Sequence, residues 1–374
     1  MMTRRFSLTA IAAAAMFSGA AHAATAPLTG QQILQQFNQV SLGDAKSSSE
    51  TIGRAWIGGN VNKGQYAMST ALPESNYAGL TVIGSTQSTI HVKNGGLFVK
   101  GSFNGDGSVS GAGASYVGGN SIGVNYDNQA QIVGSLAGNL NKGGQAGSLA
   151  DSGSHVNGGG LTQASIDYIA KTKAASESTV FKTVLDNTSA SLSKLTGNSI
   201  VTIGEQGVTF NAQPTNGVAV FDLTQLVYPT IAGSSLQFDD AVFGARSIKF
   251  NLNGATTVII NSDNATINSS ANFFDATTIG AKLLWNLYDA DNVTFGTQWG
   301  GSVLASGATF TNYNTIEGSV YAASFDQHSE IHQVMFTGTL PVAAVPEPET
   351  YAMLLGGLGL MGFIARRRKQ AAAR

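Results

Sequence analysis

The chain has 374 residues, no cysteine and a formal net charge of −2 at pH 7. The absence of cysteine excludes a thiol nucleophile, an iron–sulfur cluster, a Cys-ligated zinc site and stabilisation by disulfides. Charged residues make up only 11% of the chain, and seven of the 20 basic ones lie in the first five and last nine positions. The long segment between is therefore acidic, and we expect no nucleic-acid partner for it.

The N-terminus is predicted to be an export signal. Arg4 and Arg5 precede an apolar run at residues 6–17, and small residues follow up to an A-x-A motif that ends at Ala23. A charged region, a short apolar region and this motif are the three parts of a secretory signal peptide. We expect signal peptidase to remove residues 1–23.

After a short amphipathic helix predicted at residues 31–40, with Thr29 as its N-cap, the pattern becomes β-like. Short runs of apolar residues alternate with glycine and asparagine, as in 54–60, 80–84 and 89–96. They indicate strands that turn often. Four glycines suggest a repeat of about twenty residues, which is typical of a β-solenoid whose coils stack on one another: Gly58, Gly118, Gly138 and Gly158. A glycine-rich β-sandwich is the alternative.

A long helix is predicted to interrupt the β pattern at residues 161–196, where glycine and proline are nearly absent. Its apolar residues recur at steps of three and four: Ile166, Ile169, Ala170, Val180, Phe181, Val184, Leu185, Leu192 and Leu195. A break near 176–178 is the alternative to one continuous helix. Because strand-like alternation returns beyond Asn198, we predict a mainly β protein: one β-solenoid body at residues 24–344 with one long flanking α-helix.

Landmarks near both ends of this body are similar to a known family of exported domains. Arg54 and Trp56 lie in a glycine-rich run near the start, whereas Trp285, Gly318 and Phe336 follow in order near the end. This order resembles the choice-of-anchor A family, adhesive domains that pair one body with different anchoring tails. The resemblance covers residues 37–341 and implies an adhesive or structural role. We expect Arg54 to pair with a buried carboxylate or carbonyl, and Trp285 and Phe336 to fill the core.

The C-terminus is predicted to be a second sorting signal. Pro346, Glu347 and Pro348 precede an apolar run at 351–365 and then a basic cluster, formed by Arg366, Arg367 and Arg368. The run is shorter than the about 20 residues that span a membrane comfortably, so we expect a transient inner-membrane anchor with the cluster in the cytoplasm. Residues 345–370 resemble the PEP-CTERM sorting signal. The resemblance implies cleavage by an exosortase and export to the surface or matrix of a Gram-negative bacterium that makes exopolysaccharide.

The best candidates for a metal site are His328, Glu330 and His332. On a strand these alternate residues would share one face and offer two imidazoles and a carboxylate. A polar, solvent-facing strand is the favoured interpretation. The acidic turns at 289–291 and 104–106 lack the spacing of known calcium loops and fit ordinary Asx turns better. We expect no metal and no cofactor.

Candidate catalytic residues are equally sparse. Asp239 and Asp240, followed by Arg246 and Lys249, resemble the acidic pair and basic motif of β-helical pectin hydrolases, and paired carboxylates are the groups that cleave glycosidic bonds. The Gly-His-Gly element of those enzymes is missing, and so are a nucleophile elbow and a phosphate-binding loop.

We therefore expect a non-enzymatic surface or matrix protein that associates with exopolysaccharide or another surface polymer. A β-helical polysaccharide-active enzyme is one alternative. An ice-binding protein is another, and it would require a flat face of regularly spaced threonines. The pairs at 256–257 and 277–278 do not form such a ladder in the sequence.

Overall fold

The computed structural model describes residues 26–151, 153–224 and 238–341. The predicted processing and anchoring residues lie outside these ranges: Ala23, Pro346, Glu347, Pro348, the apolar run 351–365, Arg366, Arg367 and Arg368. The helices are α1 (Gly30–Gln36), α2 (Gln163–Ser178), α3 (Phe181–Leu192), α4 (Phe238–Phe243) and α5 (Ala276–Ile279), with a 3-10 turn at Gly280–Lys282.

Strands dominate the structure. They are β1 (Gln39–Ser41), β2 (Ala45–Ser47), β3 (Glu50–Thr51), β4 (Ala55–Ile57), β5 (Val61–Tyr66), β6 (Leu80–Val82), β7 (Thr86–Val92), β8 (Leu97–Val99), β9 (Phe103–Val109), β10 (Ser115–Val117), β11 (Ser121–Tyr126), β12 (Ala130–Leu140), β13 (Gly144–Leu149), β14 (His155–Val156), β15 (Ile200–Gly204), β16 (Gly207–Asn211), β17 (Val218–Asp222), β18 (Ser247–Asn251), β19 (Thr257–Ser262), β20 (Thr266–Ser269), β21 (Asn272–Phe273), β22 (Leu283–Leu287), β23 (Asn292–Phe295), β24 (Trp299–Gly300), β25 (Ser302–Asn312), β26 (Ile316–Gly318), β27 (Val320–Gln327) and β28 (Ile331–Gln333).

Parallel pairing between successive coils builds the predicted β-solenoid, whose coils have three faces. On the first face the spatial order is β17, β19, β22, β25, β27, β1, β4, β6, β8, β10, β12 and β13. The first coil thus lies in the middle of the solenoid, because β1 is paired on one side with β27 and on the other with β4. Both β regions therefore contribute to one large parallel sheet, with the helices inserted between them in sequence. Four strands of the second region, β15, β16, β18 and β21, form a separate small sheet in which β15 and β16 are antiparallel.

Two helices return the chain from the β13 end of the solenoid to the β19 end. The Tyr168 hydroxyl donates to the Gly95 carbonyl beside β8, Phe181 stacks on Trp56 of β4 at 4.2 Å, and Ser189 donates to Asn286 of β22. The contacts therefore move steadily along the solenoid axis. Helices of 16 and 12 residues extend about 24 and 18 Å, enough to cover most of the first face.

The predicted long helix is interrupted, at Thr179 and Val180 rather than at 176–178. Thr179 caps α2 in an extended conformation, and its hydroxyl accepts a hydrogen bond from the Leu28 amide. The apolar stripe therefore changes phase at the break. Ile169, Phe181, Leu185 and Leu192 are buried, but Ile166 and Val180 are exposed, so placing these last two on the buried face was wrong.

The glycine repeat proves to mark one corner of each coil, although in a different register from the predicted one. A side-chain oxygen in one coil accepts a hydrogen bond from a backbone amide in the next, at sequence separations of 16, 25, 17, 18 and 15 residues. This corner ladder consists of Asp44, Asn60, Ser85, Ser102, Asn120 and Ser135. A glycine directly precedes each of these six residues, the last being Gly134 before Ser135. Gly138 lies elsewhere, in β12 beside Val124.

The family landmarks are structural, as expected. Trp285 is fully buried and donates to the Gly300 carbonyl at 2.9 Å, and Phe336 is buried with the helices. The Arg54 guanidinium binds four backbone carbonyls rather than a carboxylate. Thr29 caps α1 in a capping box with Gln32, but the helix ends at Gln36 because the following residues enter β1.

Candidate functional site

Of the faces of the solenoid, the first is covered by α1, α2 and α3, whereas the second is open on several coils. We call the open part the polar face. It is the outer side of β20, β23, the second half of β25, the second half of β27, and β2, together with the residues just after these strands. Its members are Thr266, Asn268, Ser270, Asn292, Thr294, Gly296, Thr309, Thr311, Tyr313, Ser324, Asp326, His328, Lys46 and Ser48.

Strict alternation produces this face. In β25, Phe310 and Asn312 point into the solenoid and are fully buried, whereas Thr309 and Thr311 point outward. Tyr313, directly after the strand, is also exposed. The same alternation holds in the neighbouring strands. Side chains on the outer face therefore form a grid, spaced by about 4.8 Å between coils and about 6.6 Å along each strand.

Threonines are neighbours across this grid although they are distant in sequence. Thr294 of β23 lies directly beside Thr311 of β25, and Thr309 lies beside Asn292 on one side and Ser324 on the other. The hydroxyls of Thr309 and Ser324 are 3.0 Å apart, within hydrogen-bonding distance. A rigid parallel sheet thus presents short hydroxyl and amide groups at regular intervals, and the sheet holds the backbone that carries them.

An exposed aromatic residue lies along one side of the grid. Tyr313 is 59% exposed and stacks on His328 of the next coil, with ring centroids 4.8 Å apart and planes inclined by 20°. On the coil at the other side, the corresponding position is Gly296, which carries no side chain. One face of the tyrosine ring is therefore stacked on protein, and the other is not covered by a side chain at that position.

Charges on the polar face are paired. Asp326 lies between Lys46, at 3.6 Å from its Nζ, and His328, at 3.3 Å from its Nε2. These are exposed pairs and contribute little to stability. Their effect is local neutrality, because the carboxylate is balanced by the lysine and the remainder of the face carries hydroxyls and amides.

The predicted metal candidates do not converge. Residues 328–330 lie in a bend between β27 and β28 and not in a strand, so the three side chains do not share one strand face. The His332 ring lies between two carboxylates, with Nδ1 3.0 Å from Glu317 and Nε2 2.8 Å from Glu330, whereas His328 pairs with Asp326. Across the described ranges, no group of three or more His, Asp or Glu side chains is arranged to hold a metal ion.

His332 nonetheless has a perturbed pKa. Burial lowers the pKa of this imidazole, but hydrogen bonds and charge interactions with Glu330 and Glu317 raise it by more, so the net shift is upward. The Glu317 side chain is nearly inaccessible and also accepts a hydrogen bond from Gln298 at 2.9 Å. This cluster fastens β28 to β26.

The residues proposed for catalysis are only partly described. Asp240 in α4 is exposed, and its Oδ1 accepts a hydrogen bond from Asn264 at 2.8 Å, as an ordinary surface carboxylate does. The Asp239 side chain lies outside the described part of the structure. Lys249 projects outward from β18, in simple strand alternation with the buried Ile248.

Sequence reasoning missed the polar face. The threonine pairs it considered lie elsewhere, since Thr257 is buried and 277–278 belong to α5. The signal present in the sequence was the alternation Thr309-Phe310-Thr311 followed by Tyr313. Only the pairing of coils shows that Thr266 and Thr294 belong to the same surface.

Residues 30–333 match the family model described as "Putative Ice-binding-like adhesive domain". The chain belongs to this family. Residues 344–369 match the PEP-CTERM protein-sorting motif. The two matches make the protein an exported surface protein that is sorted by an exosortase, as found in Gram-negative bacteria. Comparison with curated proteins and with solved structures gave no match. Within the described ranges no helix is both long and apolar enough to cross a membrane.

Proposed function

We propose that this exported protein is a non-catalytic adhesin that binds a neutral polysaccharide through its polar face. The observation that carries the proposal is the exposed Tyr313 ring beside a grid of threonine and asparagine side chains. A tyrosine ring offers an apolar surface with a polar edge, which complements the C–H face of a sugar ring. The neighbouring hydroxyls and amides are matched donors and acceptors for sugar hydroxyls.

Geometry and charge both support an extended, neutral ligand. The grid continues over five coils, so a polymer can make the same weak contact repeatedly, and its affinity then rises by multivalency. Because Lys46 balances Asp326 and the chain as a whole is acidic, an anionic polymer gains no attraction from this surface. Export to the cell surface places the face where such a polymer is available.

Affinity electrophoresis in gels cast with dextran, and in parallel with alginate, tests the proposal. We expect dextran to retard the protein and Tyr313→Ala to weaken binding about twofold to twelvefold, since a lost aromatic contact is worth about 0.5–1.5 kcal/mol. Phe274→Ala is the matched control, because Phe274 is 45% exposed but lies outside the polar face. Retardation that is equal in the wild type and in Tyr313→Ala would refute the role of this face.

Ice binding is the second candidate function, favoured by the threonines at 266, 294, 309 and 311 on one face of a parallel sheet and by the description of the family. A droplet assay of ice recrystallisation distinguishes the two. Inhibition that Thr309→Lys abolishes and Tyr313→Ala leaves intact would favour ice. Retardation by dextran without any inhibition of recrystallisation would favour the polysaccharide.

A further inference from the structure

One end of the solenoid terminates in an open strand edge. β13 and β14 each pair with β12, and within the described ranges no further strand lies on their outer side. Core positions are consequently exposed there. Leu136 and Leu140 are fully buried in the preceding coil, but their partners one coil further, Leu149 and Val156, are 51% and 39% exposed.

This edge lacks the features that normally prevent strand pairing. Native edge strands are protected by charged side chains, by proline or by a covering element. The sequence of β13 is Gly-Gln-Ala-Gly-Ser-Leu, and β14 is His-Val, so neither strand contains Lys, Arg, Asp, Glu or Pro. The chain covers only the start of this edge, where the Gly144 amide donates to the Gly159 carbonyl at 3.1 Å. Beyond Gly144, the outer side of β13 has no strand partner within the described ranges and ends at the exposed Leu149 side chain.

The free edge lies far from the anchored end of the domain. The described chain ends at Pro341. Two residues earlier, Thr339 lies beside β19, and the Thr339 amide donates to the Thr257 hydroxyl. From β19 to β13 there are ten strand-to-strand steps on the first face, or about 48 Å. The sorting motif that follows Pro341 thus attaches at one end, and the edge projects at the other.

We propose that the β13 edge is a homophilic docking surface, which takes the same edge of a second copy of this chain. The two copies meet head to head about a two-fold axis, so the two β13 strands run antiparallel and complete each other's backbone hydrogen bonds. Leu149 of each copy is then covered by its partner. Since the edge is distal to the anchor, molecules on facing cells present it to each other.

Position and charge both select a second copy as the occupant. Segments that continue from the two ends of the described chain begin beside α1 and β19, several coils away from β13. The edge strands carry no ionised side chain, so bringing two identical edges together incurs no like-charge repulsion. The pairing is independent of polysaccharide binding, because β13 lies outside the polar face.

Sedimentation of the purified full-length protein, kept in detergent so that the C-terminal segment stays in place, measures the pairing. We expect a concentration-dependent dimer, and we expect the double variant Leu149→Lys/Val156→Lys to weaken association at least tenfold. Ile166→Lys, at a site on α2 that is 44% exposed, is the matched control and should dimerise as the wild type does. A wild type that stays monomeric at high concentration, or an edge variant that dimerises normally, overturns the proposal.

Cross-linking provides a second test that does not depend on how well the lysine variant folds. The chain has no cysteine, so single cysteines can be introduced one at a time at positions 145 to 148. Antiparallel partners have Cα atoms about 4.5–5.5 Å apart, within disulfide range, so the residue nearest the two-fold axis should cross-link under mild oxidation. Thr70→Cys, on an exposed loop, should not. Equal cross-linking at 70 and at every edge position indicates random collision and refutes the interface.

Discussion

Replacing Arg54 with methionine should destabilise the fold by about 2 kcal/mol. Arg54 as a whole is 4% exposed. Its guanidinium donates to the carbonyls of Tyr77 and Ala78 at 3.2 Å, with further bonds to the carbonyls of Gln36 and Pro73. Methionine fills the space of the aliphatic stem but leaves these carbonyls without donors. A buried polar group without its partner costs about 1–3 kcal/mol.

The net effect is smaller than the sum of four bonds because the variant also removes the cost of burying a charge. That cost is visible in the Arg54 pKa, which burial lowers to about 10, still high enough to keep the group ionised at neutral pH. Against a total stability of about 5–15 kcal/mol, a loss of about 2 is readily measured by equilibrium unfolding in urea. Arg246→Met, at an exposed arginine, is the control. If the two variants differ by less than about 0.5 kcal/mol, Arg54 does not support the coil as described.

Three further outcomes are expected. The pKa of His332 is raised in the folded state. The stabilisation that His332 contributes is therefore fully present below about pH 6.5 and is lost as the pH rises through the raised pKa. His332→Gln should flatten this pH dependence of the free energy of unfolding in urea titrations. Asn120→Ala removes one acceptor of the corner ladder and should cost about 1 kcal/mol in the same assay. Asp240→Ala should leave dextran binding unchanged, and neither protein should release reducing sugars.

Each of these has a control and a contradicting result. His155→Gln, at an exposed histidine in β14, should keep the pH dependence of the wild type. If His155→Gln and His332→Gln flatten the pH dependence equally, the pairing of His332 with Glu317 and Glu330 is not its cause. Asn104→Ala should cost less than Asn120→Ala, since Asn104 projects from β9 outside the ladder. Sugar release by the wild type that disappears on joint replacement of Asp239 and Asp240 would show an enzyme in place of the proposed adhesin.

The local pattern of residues was sufficient to predict the solenoid and its helical insertion. Alternating apolar residues such as Ile248 and Phe250 have to point to one side of a strand, glycines at regular corners permit sharp turns, and the glycine-poor segment after residue 161 has helical periodicity. The C-terminal sorting signal was equally readable, because its recognition depends on the order of residues in a short segment and not on tertiary contacts. The N-terminal signal peptide stays a prediction.

The order of coils in space could not be read from the chain. Nothing local to β1 indicates that it pairs with β27, some 280 residues later, because backbone pairing between coils depends on shape and register rather than on a motif. The polar face and the free β13 edge both result from that order. The sequence determined which residues face outward from each coil, whereas the tertiary structure alone decided which of them become neighbours, because a solenoid brings together side chains that the chain itself keeps one or more coils apart.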